Sequence, residues 1–317
     1  MTVSSELTAA RETVGFIGLG RMGLGMARRL VASGHAVLAF DADAAALSAF
    51  GASGGHTAAS VREVADRARI VFACLPTLDI CANVALGKGG VVEGSTIEIY
   101  VETSTIGQAV AARIAAGLRE ARGIRMLDSP ISGGQQGAAD GTLTTVSAGD
   151  QSAFDEVQPL WRCMASHVVY AGAEPGLGQL YKVINNYIVM SAMAATCEAI
   201  AVGVRAGADE AKLVDVINYA TGRNFATSVY FPSVVLPRKS VSSLHMAMKD
   251  VRLFADAAAG VGNSSEGACV VLKHWQAAAD DGLSMVQWYE RMLKGNASGD
   301  TDRSRGTVST KAIHKDS

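Results

Sequence analysis

Lys182 and Asn186 stand four residues apart in GLGQLYKVINN, Gly176 to Asn186. On a helix that spacing puts an amine and an amide on one face. A lone lysine on a helix is ordinarily a solvated charge. This one sits in an otherwise apolar stretch, where burial and a nearby cation lower an ammonium toward neutrality and let it exchange a proton with an alcohol. A second group lies in DSPISGGQQGAADGTL, Asp128 to Leu143, where Ser132-Gly133-Gly134 offers a hydroxyl and successive N–H groups suited to a carboxylate. An ordinary glycine loop is the plainer reading of the same residues. A third, Lys249-Asp250 in MKDVRLFADAA, reads alone as an exposed ion pair.

These residues need a scaffold, and GFIGLGRMGLGMARRL, Gly15 to Leu30, supplies its first part. An apolar run enters Gly18-Leu19-Gly20-Arg21-Met22-Gly23, and a helical pattern (Met22, Met26, Leu30) follows at once. This is a G-x-G-x-x-G turn between strand and helix, the context in which it binds a dinucleotide. Its glycines turn tightly, admit a pyrophosphate and pack the helix on the sheet, and the helix N-terminus attracts the anion. His35 to Phe40 reads as a second strand ending at Asp41, about twenty residues past the turn, where a carboxylate accepts hydrogen bonds from ribose hydroxyls. The same charge repels a 2′-phosphate, so NAD is expected in preference to NADP, with NADP left open. Asp43 either competes for that role or caps the next helix. Arg28 and Arg29 read as a solvated face.

Apolar runs at Arg69–Leu75, Ile97–Val101 and Ile124–Leu127 repeat the pattern, with helix-compatible stretches such as Gly107–Ala121 between them. Thr142–Ala148 and Val168–Tyr170 extend it. Alternating strands and helices predict an α/β fold with a Rossmann-type, doubly wound parallel sheet. Ligands then lie beyond the carboxyl ends of the strands, which places Pro76, Thr105 and Ser132 on one edge. After Ala173-Glu174-Pro175-Gly176 no strand-like run is convincing. One helical pattern spans Gly178 to about Arg205, on the order of 40 Å. Further helices are expected at Asp209–Ala220, Val241–Ala259, Glu266–Asp280 and Ser284–Leu293. The expected division is a cofactor domain at 12–175, an all-helical domain for substrate and oligomerisation at 176–294 joined through the long helix, and a disordered tail at 295–317.

The 317 residues carry 28 Lys and Arg against 30 Asp and Glu, a formal charge of −2. That gives no electrostatic case for nucleic acid or an anionic membrane surface. Val183–Val204 is apolar but holds Asn185, Asn186 and Glu198, and reads as a buried helix rather than a membrane span. Cys74, Cys81, Cys163, Cys197 and Cys269 show no ligand spacing and read as reduced thiols, so neither disulfide nor metal is expected. The first dozen residues show no secretory pattern, and a cytoplasmic protein is expected.

Together the four motifs, from about Thr13 to Leu293, resemble the β-hydroxyacid dehydrogenase family. The resemblance implies hydride transfer between a nicotinamide and a small 3-hydroxy acid or its semialdehyde. It implies that Lys182 is the catalytic acid/base, that Asn186 orients the substrate, and that Ser132, Gly133 and Gly134 hold its carboxylate. Gly18, Leu19, Gly20, Arg21, Met22 and Gly23 would cradle the cofactor with Asp41, Leu75-Pro76 and Ser104-Thr105, and Lys249 would lie near the nicotinamide. Glu102 departs from the Asp commoner ahead of the Ser-Thr pair, with little effect expected. Arg223-Asn224-Phe225 and Tyr230-Phe231-Pro232 are expected to approach the pocket, and a homodimer or homotetramer is expected. Two other readings stay open: an imine reductase-like NADPH enzyme, which Lys182 argues against, and a catalytically silent NAD-binding sensor.

Overall fold

The computed structural model describes residues 12–239 and 244–295. The expected tail from 296 onward, the start of the chain to residue 11 and the beginning of the helix expected at 241 lie outside them.

The chain alternates strand and helix from β1 (Val14–Ile17) and α1 (Gly23–Ala32) through β2 (Val37–Phe40), α2 (Ala44–Gly51), β3 (His56–Thr57) and α3 (Val61–Arg67). It continues with β4 (Ile70–Ala73), α4 (Leu78–Leu86), β5 (Ile99–Glu102), α5 (Gln108–Arg122) and β6 (Arg125–Asp128). Then come β7 (Ile131–Ser132), α6 (Gly134–Asp140), β8 (Leu143–Gly149), α7 (Gln151–Trp161) and β9 (Ala165–Gly172). The sheet runs β3-β2-β1-β4-β5-β6-β8-β7, with β9 also on β8. Strands β1 to β6 pair in parallel, and the chain reverses its direction of travel across the sheet between β1 and β4, the switch point of a doubly wound fold. The far edge departs from the parallel expectation: β8 is antiparallel to β6 and to β7, and β9 parallel to β8. Strand β7 runs on from β6 across the short Ser129-Pro130 link, and β8 returns after α6 antiparallel to both.

Both faces of the sheet are covered, which is why its strands read as unbroken apolar runs. Phe16, Phe72, Val101 and Leu127 face one core with α1 and α7, and Phe72 packs edge-on to Trp161 with centroids 5.4 Å apart. Ile17, Val71, Tyr100 and Met126 face the other with α3 and α5. Arg28 and Arg29 are not simply solvated: Arg28 donates to the Ala49 carbonyl at 2.9 Å, and Arg29 to that of Cys163 at 3.2 Å. Asp43 caps α2 through the Ala45 N–H.

The long helix α8 (Leu177–Arg205) is followed by α9 (Glu210–Tyr219), a π-helical stretch at Ala226–Val235, α10 (Leu244–Gly260), α11 (Glu266–Asp280) and α12 (Met285–Lys294). By contacts the chain forms two compact units. The first joins the described residues up to Ser191 with His245–Gln276, and the second takes Ala192–Leu244 and the described residues from Ala277. In this grouping the first half of α8, most of α10 and most of α11 go with the sheet. In the second unit, Asn224 caps the π-helical stretch through the Ala226 N–H, and Phe231 is fully buried edge-on to Tyr289. Phe231 is a core residue there, not a pocket wall. Helix α8 is long and apolar enough to cross a membrane by length and composition alone. It is not buried all round, since Tyr181, Ile184, Ile188 and Val202 are exposed.

Candidate active site

The glycine turn forms where β1 ends. Gly18 has φ +92°, and a Cβ there would lie 2.2 Å from the Cys74 carbonyl oxygen. A Cβ on Gly23 would lie 1.9 Å from the Gly18 carbonyl oxygen, so neither position admits a side chain. Gly20 differs: a Cβ there meets nothing within 4 Å, so its backbone faces open space. Helix α1 begins without a side-chain N-cap, and an uncapped first turn leaves N–H groups for an anion. Leu19 itself is buried and donates its N–H to Asp41 Oδ2 at 2.5 Å, while Oδ1 takes the Asp43 N–H at 2.7 Å. The carboxylate therefore closes the turn from the end of β2. A tight turn with one open glycine, an uncapped helix and a fixed carboxylate fits a dinucleotide.

The ends of β4 and β5 lie beside it. Ser104 Oγ accepts the Leu75 N–H at 2.8 Å, joining the two loops expected to meet the cofactor. Pro76 is exposed and Thr105 half-buried. Glu102 is fully buried below Ser104, accepting its N–H at 2.9 Å and the Tyr100 hydroxyl at 3.0 Å. Burial pushes its carboxyl above the usual range. Glu102 thus supports the cofactor loop from beneath, a role its sequence position did not reveal.

Directly across the sheet, in register with Glu102, stands Asp128 at the end of β6. Its two oxygens accept the N–H groups of Gly176 and Gln179 at 2.9 and 2.8 Å. It therefore holds the start of α8, and burial outweighs these bonds to raise its carboxyl to about 7. A Cβ on Gly178 would lie 2.5 Å from the Val146 carbonyl and 2.6 Å from that of Asp128, so the helix can approach the sheet this closely only with glycine there.

That approach brings Lys182 to the glycine loop that carries Ser132. Its ammonium donates to Ser132 Oγ at 2.8 Å. Gly133 and Gly134 follow with φ +127° and +66°, a backbone open to glycine alone. One turn beyond Lys182, Asn186 Nδ2 donates to Asp250 Oδ2 at 2.6 Å. Asp250 Oδ1 finds no other hydrogen-bond partner among the described residues and faces the Lys249 ammonium at 3.2 Å. Lys249 also donates to the Thr105 carbonyl. The Lys249–Asp250 pair is therefore not an exposed surface pair: Asp250 is buried and Lys249 half-buried. Burial lowers Lys182 to about 8, with Lys249 acting in the same sense and Asp250 opposing. Two cations, one carboxylate and an amide converge here from α8 and α10. Asp250, Asp128, Glu102 and Gln179 were not expected as site residues, although each adjoins or lies within a motif that was: Asp250 beside Lys249, Asp128 at the head of the Ser132 segment, Glu102 ahead of Ser104-Thr105, and Gln179 within the Lys182 segment.

The chain is similar to known proteins over most of its length. Residues 13–172 match the NAD binding domain of 6-phosphogluconate dehydrogenase, and residues 176–288 the NAD-binding domain of NADP-dependent 3-hydroxyisobutyrate dehydrogenase. The chain belongs to the β-hydroxyacid dehydrogenase family. Within this family of NAD(P)-dependent enzymes, it is 36% identical over 222 residues to an NAD-dependent L-serine dehydrogenase of Pseudomonas aeruginosa, covering 70% of this chain and 74% of that one. A 3-hydroxyisobutyrate dehydrogenase of Mycobacterium tuberculosis, solved with L-serine, superposes with a TM-score of 0.79 at 29% identity, over 88% of this chain and 98% of that one. An imine reductase of Streptomyces aurantiacus shares the fold, with a TM-score of 0.61 and 21% identity over 89% of this chain and 99% of that one.

Proposed function

We propose that this β-hydroxyacid dehydrogenase oxidises short 3-hydroxy acids, or reduces the matching semialdehydes, with Lys182 as the general acid/base. One observation carries the reading: a lysine lowered to about 8 and bonded to the Ser132 hydroxyl of the glycine loop. An alcohol gives up its proton as its hydride departs, and an amine that titrates near neutrality takes that proton efficiently. The bound nicotinamide would supply the hydride acceptor. The Ser132 hydroxyl and the Gly133 and Gly134 backbone would hold the carboxylate, displacing the Lys182–Ser132 bond in part and presenting the 3-hydroxyl to the amine. Asn186, fixed by Asp250, would orient that hydroxyl, and positioning of this kind supplies several kcal/mol toward the barrier. Lys249 would keep Lys182 from being ionised too firmly.

The cofactor proposed is NAD, on the strength of Asp41, whose charge opposes a 2′-phosphate. The exposed Tyr181, Ile184, Ile188 and Val202 of α8 support a homodimer or homotetramer. We place the enzyme in the cytoplasm, acting on a small carboxylate rather than on nucleic acid or membrane. The test is a panel of short 3-hydroxy acids, including L-serine and 3-hydroxyisobutyrate, assayed with NAD and NADP. Turnover with NAD ahead of NADP is expected. NAD binding without turnover across the panel would contradict the reading and leave a cofactor sensor.

A further inference from the structure

Gln179 is fully buried one turn before Lys182, and its carboxamide makes three hydrogen bonds to a single loop. Oε1 accepts the N–H groups of Ile106 and Gly107 at 2.8 and 3.1 Å, and Nε2 donates to the Ser104 carbonyl at 3.1 Å. Its own backbone N–H goes to Asp128. The loop so gripped, 104–107, carries Ser104, which receives the Leu75 N–H, and Thr105, whose carbonyl receives the Lys249 ammonium. One amide therefore ties the helix that carries Lys182 to the backbone that joins the two cofactor loops and to the second lysine. Among the described residues no other side chain on the first turns of α8 bonds to that loop, so the grip depends on this residue.

We propose that Gln179 is a positioning residue for hydride and proton transfer: its carboxamide sets the distance between Lys182 and the cofactor loop 104–107. The inference rests on the reading of Lys182 as the acid/base. A buried amide with three partners has one orientation, because rotating it would set a donor against two N–H groups. All three bonds of its carboxamide go to backbone groups of 104–107, so it acts through the groups it holds. Displacement of reacting groups by about 1 Å costs on the order of 100-fold in rate. A shift of that size follows if Ser104–Gly107 and α8 separate.

The test uses the full chain with NAD and the best substrate of the panel above. Gln179→Met keeps the volume and removes all three bonds. Its kcat is expected to fall on the order of 100-fold, while KM for the hydroxy acid changes far less. A folded Gln179→Met protein with kcat close to wild type would overturn the proposal, as would a fall in kcat matched by the fraction unfolded. Should that variant not fold, Gln179→Glu decides. Its protonated form can still donate to the Ser104 carbonyl, and its ionised form repels it. The ratio of its kcat to that of wild type is expected to decline as pH rises from 6 to about 9, with Asp128 and Lys249 present in both proteins. A ratio flat with pH would overturn the proposal. Lys182→Ala is run alongside: wild-type turnover in that variant sinks the reading of the site itself, whereas an inactive Lys182→Ala beside a fully active Gln179→Met sinks only the role given to Gln179.

Discussion

Lys182 on α8 donates its ammonium proton to Ser132 Oγ across 2.8 Å, although the two residues are 50 positions apart in the chain. The contact exists because Asp128 anchors the start of α8 and Gly178 lets the helix lie against the sheet. The placing of Lys182 against the Ser132 loop is thus set by the strand end that precedes the loop itself.

The ionisation of Lys182 sets the pH dependence. Its neutral form takes the alcohol proton, so kcat/KM for oxidation should rise with pH and level off above about 8, and reduction of the semialdehyde should fall over the same range. Asp250 raises Lys182 and Lys249 lowers it. Asp250→Asn should therefore move the oxidation limb to lower pH, and Lys249→Met should move it to higher pH. Limbs that move the same way in both variants would show that these charges do not govern it.

Glycines at the two loops should separate stability from binding. Gly178→Ala gains about 1 kcal/mol of helix propensity but drives a Cβ into two carbonyl oxygens, an overpacking cost of about 1–3 kcal/mol or more. Since those two carbonyl oxygens are backbone and cannot swing away, the clash should win and the urea midpoint should fall. Gly20→Ala meets nothing within 4 Å and should leave the midpoint nearly unchanged while weakening NAD. Calorimetric titration with NAD and urea unfolding of both variants check the contrast.

Much of this arrangement was legible in the sequence, because unbroken apolar runs mark strands covered on both faces and a glycine turn marks where they open. The helix expected at Glu266–Asp280 spans the same residues as α11, and the one expected at Ser284–Leu293 differs from α12 by one residue at each end, Ser284 being its N-cap. What stayed hidden depends on distant partners. Strands β3 and β7 are two residues each, too short for a period to show. Gln179 lies inside the Lys182 motif, yet its partners Ile106 and Gly107 are over seventy positions away. Tyr230-Phe231-Pro232 was expected near the pocket, but its sequence did not say which side chain is core; Phe231 is. Arg28 is exposed as its charge suggested, whereas Arg29 is half-buried, because a charge pattern cannot reveal the Cys163 carbonyl in the turn after α7.

Asp128 should leave a mark on stability. Its folded value of about 7 lies above the ordinary 3.8, so its contribution is fully present below 3.8 and is lost as pH rises through about 7. The stability of wild type relative to Asp128→Asn, measured by urea unfolding, should therefore decline between pH 4 and 8. Parallel curves would show that the carboxyl titrates normally.

Asp41 should govern the choice of cofactor. Replacing it with serine removes the charge facing the ribose and should raise kcat/KM with NADP while lowering it with NAD. An unchanged ratio of the two efficiencies would move that role elsewhere.

Lys182→Ala bears most directly on the chemistry assigned to this site. With the best hydroxy acid of the panel, kcat should fall by about 100- to 10,000-fold, the usual worth of a positioned acid/base, while calorimetry finds NAD bound as tightly as by wild type. Turnover close to wild type in that variant would contradict the assignment of Lys182 as the group that moves the proton.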